Sequence, residues 1–314
     1  MSRFLKIGGL TVLVLGVCLG AYWLGSRNSE PKSSSDASAD YPLLAKRLFI
    51  TNPSDTFVNF VDLRKQLNTY FTDNNIQGTL YFEYLPTGTS IRIDGDKPQV
   101  GASLLKVPAA MELYKAAELN KINLDQTITL RQDWLDSAYG ELYKKGAGYQ
   151  LTLREATKIM LEDSDNTALN AISYYTQNLL NDDQTPISAL DLEITVDESS
   201  NYTIAIGSRD YSSVLKCLYF SCYLDKPHSQ ELLTYLSNTQ YNNRLQAGIS
   251  DKSITVAHKI GNYAQKVQSD CGIVYIPNRN YILCVMLQGT DTADTDKKIS
   301  EISKKAYDFV VSQK

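Results

Sequence analysis

Histidine is nearly absent: the chain of 314 residues has His228 and His258 and no others, too few for a histidine-rich metal centre. The five cysteines include no C-x-x-C pair, which removes the usual spacing of structural zinc. There is no basic stripe. Net charge is −4, and lysines and arginines come at most in adjacent pairs such as Lys144-Lys145. Nucleic acid is therefore not an expected partner, and neither a metal nor a cofactor is expected. Internal repeats are missing as well. What remains is an ordinary folding composition, 43% hydrophobic and 21% charged, over a length that one large domain can use.

Long uncharged runs are equally scarce, with one exception. After Arg3 and Lys6, residues 7–25 ("IGGLTVLVLGVCLGAYWLG") carry no charge, and Tyr22-Trp23 sit where an interfacial aromatic belt would be. The run is long enough to span a bilayer, so 1–25 is expected to be an N-terminal transmembrane anchor. A cleaved signal sequence is the alternative, but no small-x-small site follows. Residues 26–44, opening "SRNSEPKSSSDASAD", are serine-rich and read as a flexible linker. A folded domain is then expected over 45–314, as a monomer on the extracytoplasmic side of the cell membrane, held by a single span.

Periodicity gives the layout. Helical spacing over 56–73 places Phe57, Val61, Leu67 and Phe71 on one face. "GTLYFEYL" and "SIRI" flank the turn "PTGT" as a hairpin. Residues 103–203 are mostly helical in period, best in "LTLREATKIMLEDSDNTALNAISYY", and another helix covers 208–222. Three strands follow, "SITVAHKI", "CGIVYI" and "NYILCVML". A last helix puts Ile299, Ile302, Ala306, Phe309 and Val310 on one side. The expected fold is α+β: a five-stranded antiparallel sheet built from both chain ends, flanked by helices, with an all-helical region at one side. Cys217 and Cys222, five apart on one helix, are poorly placed to bridge each other. Cys271 and Cys284 fall diagonal across a hairpin if its turn has four residues, so the bonding of all four stays open.

Three short motifs carry the chemistry. "GASLLKVPAA" (101–110) holds Ser103-x-x-Lys106, a spacing that a chain of this size shows about one or two times by chance. Ser164-Asp165-Asn166 follows the helix ending "IMLED", and Lys259-Ile260-Gly261 ends the strand "ITVAH". In this order, on these elements, the motifs resemble those of the penicillin-recognising serine hydrolases, specifically the class A β-lactamases and their D,D-peptidase relatives. The resemblance covers about 45–314. A helix start leaves the Ser103 N–H free to face an oxyanion, and Lys106, one turn on, is a base if burial lowers its pKa. By resemblance Ser164 relays a proton to the leaving nitrogen. Asn166, Lys259, Gly261 and Tyr139 (or Tyr143) bind substrate, and Asn262 supplies the second oxyanion N–H. Asp165 also reads as a helix cap, and His258 as a neighbour that packs and hydrogen-bonds. Pro108 implies a loosened or kinked first turn around Ser103.

Three departures shape the expectation. Ile260 replaces the family's Thr or Ser, and Cys271 stands before Gly272 where many relatives carry an arginine. No Glu-x-x-Leu-Asn, the deacylating motif, occurs in "TPISALDLEITVDESSNYTIAIG"; only Asp191, Glu193, Asp197 and Glu198 offer carboxylates there. The expected function is a membrane-tethered acyl-enzyme hydrolase or transferase acting on D-Ala-D-Ala stem peptides of peptidoglycan or on β-lactams. The alternatives are a true β-lactamase and a non-catalytic penicillin sensor or peptidoglycan-binding module.

Overall fold

Both chain ends contribute strands to one sheet. A computed structural model describes residues 58–197, 203–264 and 266–313. The early strands β1 (Gly78–Tyr84) and β2 (Thr89–Ile93) join the late strands β8 (Thr255–Tyr263), β9 (Val267–Tyr275) and β10 (Tyr281–Gln288) in the order β2-β1-β10-β9-β8. Every pairing is antiparallel, and β8 is an edge. The sheet and its two-early, three-late order are as expected from the sequence.

The first helix, α1 (Val61–Asp73), and the last, α8 (Thr292–Ser312), cover one face. Leu63, Leu67 and Phe71 of α1 are buried with Leu80, Phe82, Leu283 and Val285 of the sheet and Ile299, Ile302, Ala306 and Val310 of α8. Val61, expected on the buried face of α1, is exposed, and Phe57 lies outside the described residues. The helical region lies between the early and late strands in sequence. Its centre is α2 (Lys106–Glu118), buried at Val107, Ala110, Met111, Leu113, Tyr114 and Ala116, so it is apolar on most sides, as a core helix must be. Around it run α3 (Leu153–Glu162), α4 (Asn166–Thr176), the short α5 (Pro186–Ala189), α6 (Ser208–Phe220) and α7 (Lys226–Ser237).

The region is less helical than its period implies. A two-stranded ribbon pairs β4 (Thr127–Thr129) with β5 (Gln150–Thr152), and a small sheet joins β3 (Gln99–Val100), β7 (Thr203–Ile206) and β6 (Ile194–Asp197). Strands this short leave no readable alternation.

The cysteine geometry corrects both sequence readings. Cys217 and Cys222 form a disulfide, because α6 stops at Phe220 and not at 222. Ser221 turns left-handed (φ 52°), and the Cys222 N–H donates to the Cys217 carbonyl at 3.0 Å, folding the two together. Cys271 and Cys284 form the second bridge. They are directly opposite, since Val274 pairs with Tyr281 and the connection is longer than four residues.

The expected single-span placement in the cell membrane is also corrected. Among the described residues no helix is long and apolar enough to cross a membrane. The run 7–25 and the linker 26–44 lie outside the described residues.

Candidate active site

Ser103 lies in a single 3-10 turn, Ala102–Leu105, that runs straight into α2 at Lys106. This is the loosened first turn that Pro108 implied. Pro108 is the third residue of α2, where a backbone N–H has no intrahelical partner, so the missing donor costs nothing. Ala102 has φ 46°, a left-handed conformation that a residue with a Cβ adopts only when its surroundings hold it. The hold comes from both sides. The Gly101 N–H donates to Ile204 O of β7 at 3.0 Å, and the edge strand β8 presses on the turn at Gly261. A Cβ on Gly261 would stand 3.0 Å from the Gly101 carbonyl and 3.1 Å from Leu104 Cγ. Glycine there lets the strand and the Ser103 turn touch.

Between α3 and α4 the chain makes a second left-handed step, Ser164 at φ 56°, fully buried. It points the Ser164 hydroxyl at two lysines. Lys259 Nζ donates to Ser164 Oγ at 2.8 Å, and Lys106 Nζ reaches the same oxygen at 3.4 Å. Lys106 also donates to the Ser164 carbonyl and, at 2.7 Å, to Asn166 Oδ1. Asp165 anchors the step: Oδ1 accepts from Ala168 N at 2.8 Å, capping α4, and Oδ2 accepts from Leu142 N at 2.8 Å. The Asn166 N–H donates to Tyr139 O at 3.0 Å.

Gly140 (φ 83°) runs against that carboxylate, and a Cβ there would overlap it. Gly140→Ala is therefore expected to displace the 139–142 loop and lower stability by about 2–4 kcal/mol, combining left-handed strain with a steric clash. Urea unfolding measures it; a loss below about 0.5 kcal/mol would contradict the packing described.

Both amines are almost wholly withdrawn from water, Lys106 at 1% and Lys259 at 0% exposure. Burial lowers the Lys106 pKa to about 8, against the opposing pull of Asp165 and Asp136. Lys259 is pushed well below the ordinary lysine range, first by burial and then by the charge of Lys106. Arg244 adds to the push and Asp270 opposes it. Two ammonium groups sharing one hydroxyl in a dry site favour giving up a proton, which makes an amine able to accept one.

Arg244, absent from the sequence-based candidates, completes the edge. It is 2% exposed and donates to Gly261 O (3.3 Å), Ser269 O (2.8 Å), Asn262 Oδ1 (2.5 Å) and Asp296 Oδ1 (2.5 Å). Asn262 in turn donates to the hydroxyl of Tyr139, which ties β8 to the 139–142 loop. A lone arginine in "NNRLQAG" gives no sequence signal, because its partners are two carbonyls and two side chains far along the chain.

The structure thus brings Lys106, Ser164, Asn166 and Lys259 into one bonded cluster, with Tyr139 and Asn262 bonded beside it. Ser103 is half-buried in the turn that abuts Gly261. Tyr143 is half-buried and takes no part in these bonds. Away from the cluster, Glu118, Asp225 and His228 bring possible metal-ligand atoms within 4.8 Å of one another. They serve each other and Lys115: Glu118 accepts from Lys115 (2.5 Å) and Asp225 N (2.8 Å) and lies 3.0 Å from His228 Nδ1, tying the end of α2 to the start of α7.

Comparison with known proteins places this geometry. The model of the beta-lactamase enzyme family matches residues 62–310. The chain belongs to the beta-lactamase enzyme family. As a member it is a serine hydrolase, and the non-catalytic alternative is set aside. A curated relative, a beta-lactamase of Proteus vulgaris, is 26% identical over 263 residues, covering 80% of this chain and 86% of the relative. Among solved structures, a mutant of PBP-A held as an acyl-enzyme complex with penicillin-G is 26% identical. It covers 80% of this chain and 97% of its own, with a TM-score of 0.72. A beta-lactamase from Chitinophaga pinensis shares the fold at 21% identity and a TM-score of 0.70, covering 79% of this chain and 98% of its own.

Proposed function

We propose that Ser103 is the nucleophile of an acyl-enzyme reaction on peptides ending in D-Ala-D-Ala, or on β-lactams that resemble them. One observation carries the reading: two buried lysines converge on the Ser164 hydroxyl, beside a serine held in a strained turn. Lys106 takes the proton from Ser103 Oγ, and the oxygen attacks the substrate carbonyl. The backbone N–H groups of Ser103 and Asn262 face the oxyanion that forms. As the C–N bond breaks, Ser164 gives its proton to the leaving nitrogen and recovers one from the lysine pair. Asn166, Tyr139 and Gly261 line the substrate amide, while Lys259 with Arg244 attracts a substrate carboxylate. Water or an amine then attacks the ester. The domain that does this is assigned to 45–314, after the linker 26–44.

A second reading, hydrolysis of β-lactams, is favoured by the name of the curated relatives. Less supports it here. Asp191 and Glu193 are exposed and act on Asp210, and Glu198 lies outside the described residues. Among the described residues of that stretch no carboxylate is bonded into the Lys106–Ser164 cluster, so the ester with a ring-opened β-lactam should persist, because its leaving nitrogen stays tethered.

Labelling with a fluorescent penicillin decides both points. An adduct is expected in the unaltered protein, with a lifetime of minutes to hours, and none in Ser103→Ala. Labelling that survives Ser103→Ala, or no labelling by penicillin and by a D-Ala-D-Ala thioester alike, overturns the proposal. Turnover in well under a second selects the β-lactamase reading.

A further inference from the structure

Across the sheet from the lysine pair lies a buried carboxylate that the reaction above does not use. Side chains alternate along β8 and β9, so Lys259, Gly261 and Cys271 share one face while His258, Ile260 and Asp270 share the other. That other face carries the apolar core under α1 and α8, which includes Leu245, Val256 and Val274. Asp270 is 0% exposed there. A charge in such surroundings is costly unless it is bonded and has something to act on.

Its bonds are specific. His258 Nδ1 lies 2.8 and 3.0 Å from its two oxygens, and the Leu245 N–H donates to Oδ2 at 2.9 Å. Gly272, opposite His258, makes the first contact possible, because a Cβ there would overlap the His258 side chain. Each donor is the chain neighbour of a cation of the site: His258 precedes Lys259, and Leu245 follows Arg244. The Leu245 carbonyl is held too, accepting from Ser303 Oγ of α8 at 2.8 Å.

We propose that Asp270 is a positioning residue of the Ser103 site: its buried carboxylate fixes the backbone beside Arg244 and sustains the positive charge on Lys259. The first effect keeps the guanidinium on Asn262 Oδ1 and the Gly261 carbonyl. The second is electrostatic. The charged groups acting on Lys259 are Lys106 of α2 and Arg244, both repelling, and Asp270 of β9, attracting. His258, its strand neighbour, bonds Asp270 on the far face. Asp165 and Asp136 act on Lys106. Asp270 is thus the counter-charge of the lysine that receives the substrate carboxylate, which extends the proposed function and rests on it.

The test is the pH profile of penicillin acylation in the full chain. Without Asp270, Lys259 loses its proton at lower pH, so the alkaline limb of Asp270→Asn should move down by about one unit. The acid limb, set by Lys106, should move less. Asp270→Glu keeps the charge and should keep the alkaline limb in place at a reduced rate. In a Lys259→Arg background, where the cation does not titrate, Asp270→Asn should shift no limb. A uniform fall in rate with unmoved limbs would show a merely structural role and overturn the proposal. If the Asn variant does not fold, a limb displaced in Asp270→Glu overturns it equally. Failure of the unaltered protein to label strikes the proposed function instead, so the two failures are distinguishable.

Discussion

Lys106→Met is expected to slow acylation of Ser103 by roughly 10³-fold, the loss typical of removing a placed general base. Methionine has similar bulk to the lysine that bonds Ser164 and Asn166 but takes no proton. In the unaltered protein the amine must be neutral to act, so acylation should climb as pH rises through about 8, until the loss of the Lys259 proton turns it down again. The variant should show no such rise in whatever activity remains. Stability responds to the same group with a definite sign. Unfolded, the amine keeps its proton up to the ordinary value of 10.5; folded, it releases it near 8. The unfolded chain therefore binds more protons in that window, and the folded state gains stability as pH rises through it. Lys259, depressed in the same direction, adds to the gain, so Lys106→Met should diminish the rise without abolishing it. Urea unfolding at pH 7.5 and 10 measures the difference; an equal rise in both proteins would show that Lys106 is not held below its ordinary range.

The second large effect is on the fold itself. Arg244→Ala removes a buried cation that satisfies four acceptors on three elements, leaving Asp296, Asn262 Oδ1 and two carbonyls without it. Breaking a buried ion pair from one side costs about 3–5 kcal/mol, which for a domain of this size lowers the melting temperature by about 10 °C. Arg244→Lys should recover little, because one ammonium cannot reach acceptors spread around a planar guanidinium. Thermal unfolding followed by circular dichroism reads both. A melting temperature within about 2 °C of the unaltered protein would mean that Arg244 is not the clamp described.

How much of this was legible in the sequence depends on the range of the interaction. Ser103 and Lys106, a turn apart, and Ser164, Asp165 and Asn166, consecutive, carry their geometry in their spacing. So do β1 and β2, and the buried stripe of α8. Arg244 and Asp270 do not, because their partners are backbone atoms and side chains brought near only by the sheet. The cysteines show the same limit at short range. One left-handed residue, Ser221, folds Cys222 back onto Cys217, and nothing in "CLYFSC" announces that a serine will take that conformation. Val61 misled for a related reason: α1 is oriented by what covers it, and a few residues of period do not fix which of two adjacent faces turns inward.

The order of strands in the sheet has a consequence for synthesis on the ribosome. Leu80 pairs with Val285, and β8, which braces the turn of Ser103, has β9 as its neighbour in the sheet. An emerging chain therefore carries Ser103 long before the late strands exist, and the β1–β2 hairpin waits without β10 for the last quarter of the sequence. Such non-local closure makes folding slow and leaves the waiting hairpin open to association with other chains. The same topology is protective: a chain cut short before Tyr281 lacks the strand that joins β1 to β9, so in a truncated product Ser103 has no assembled site around it.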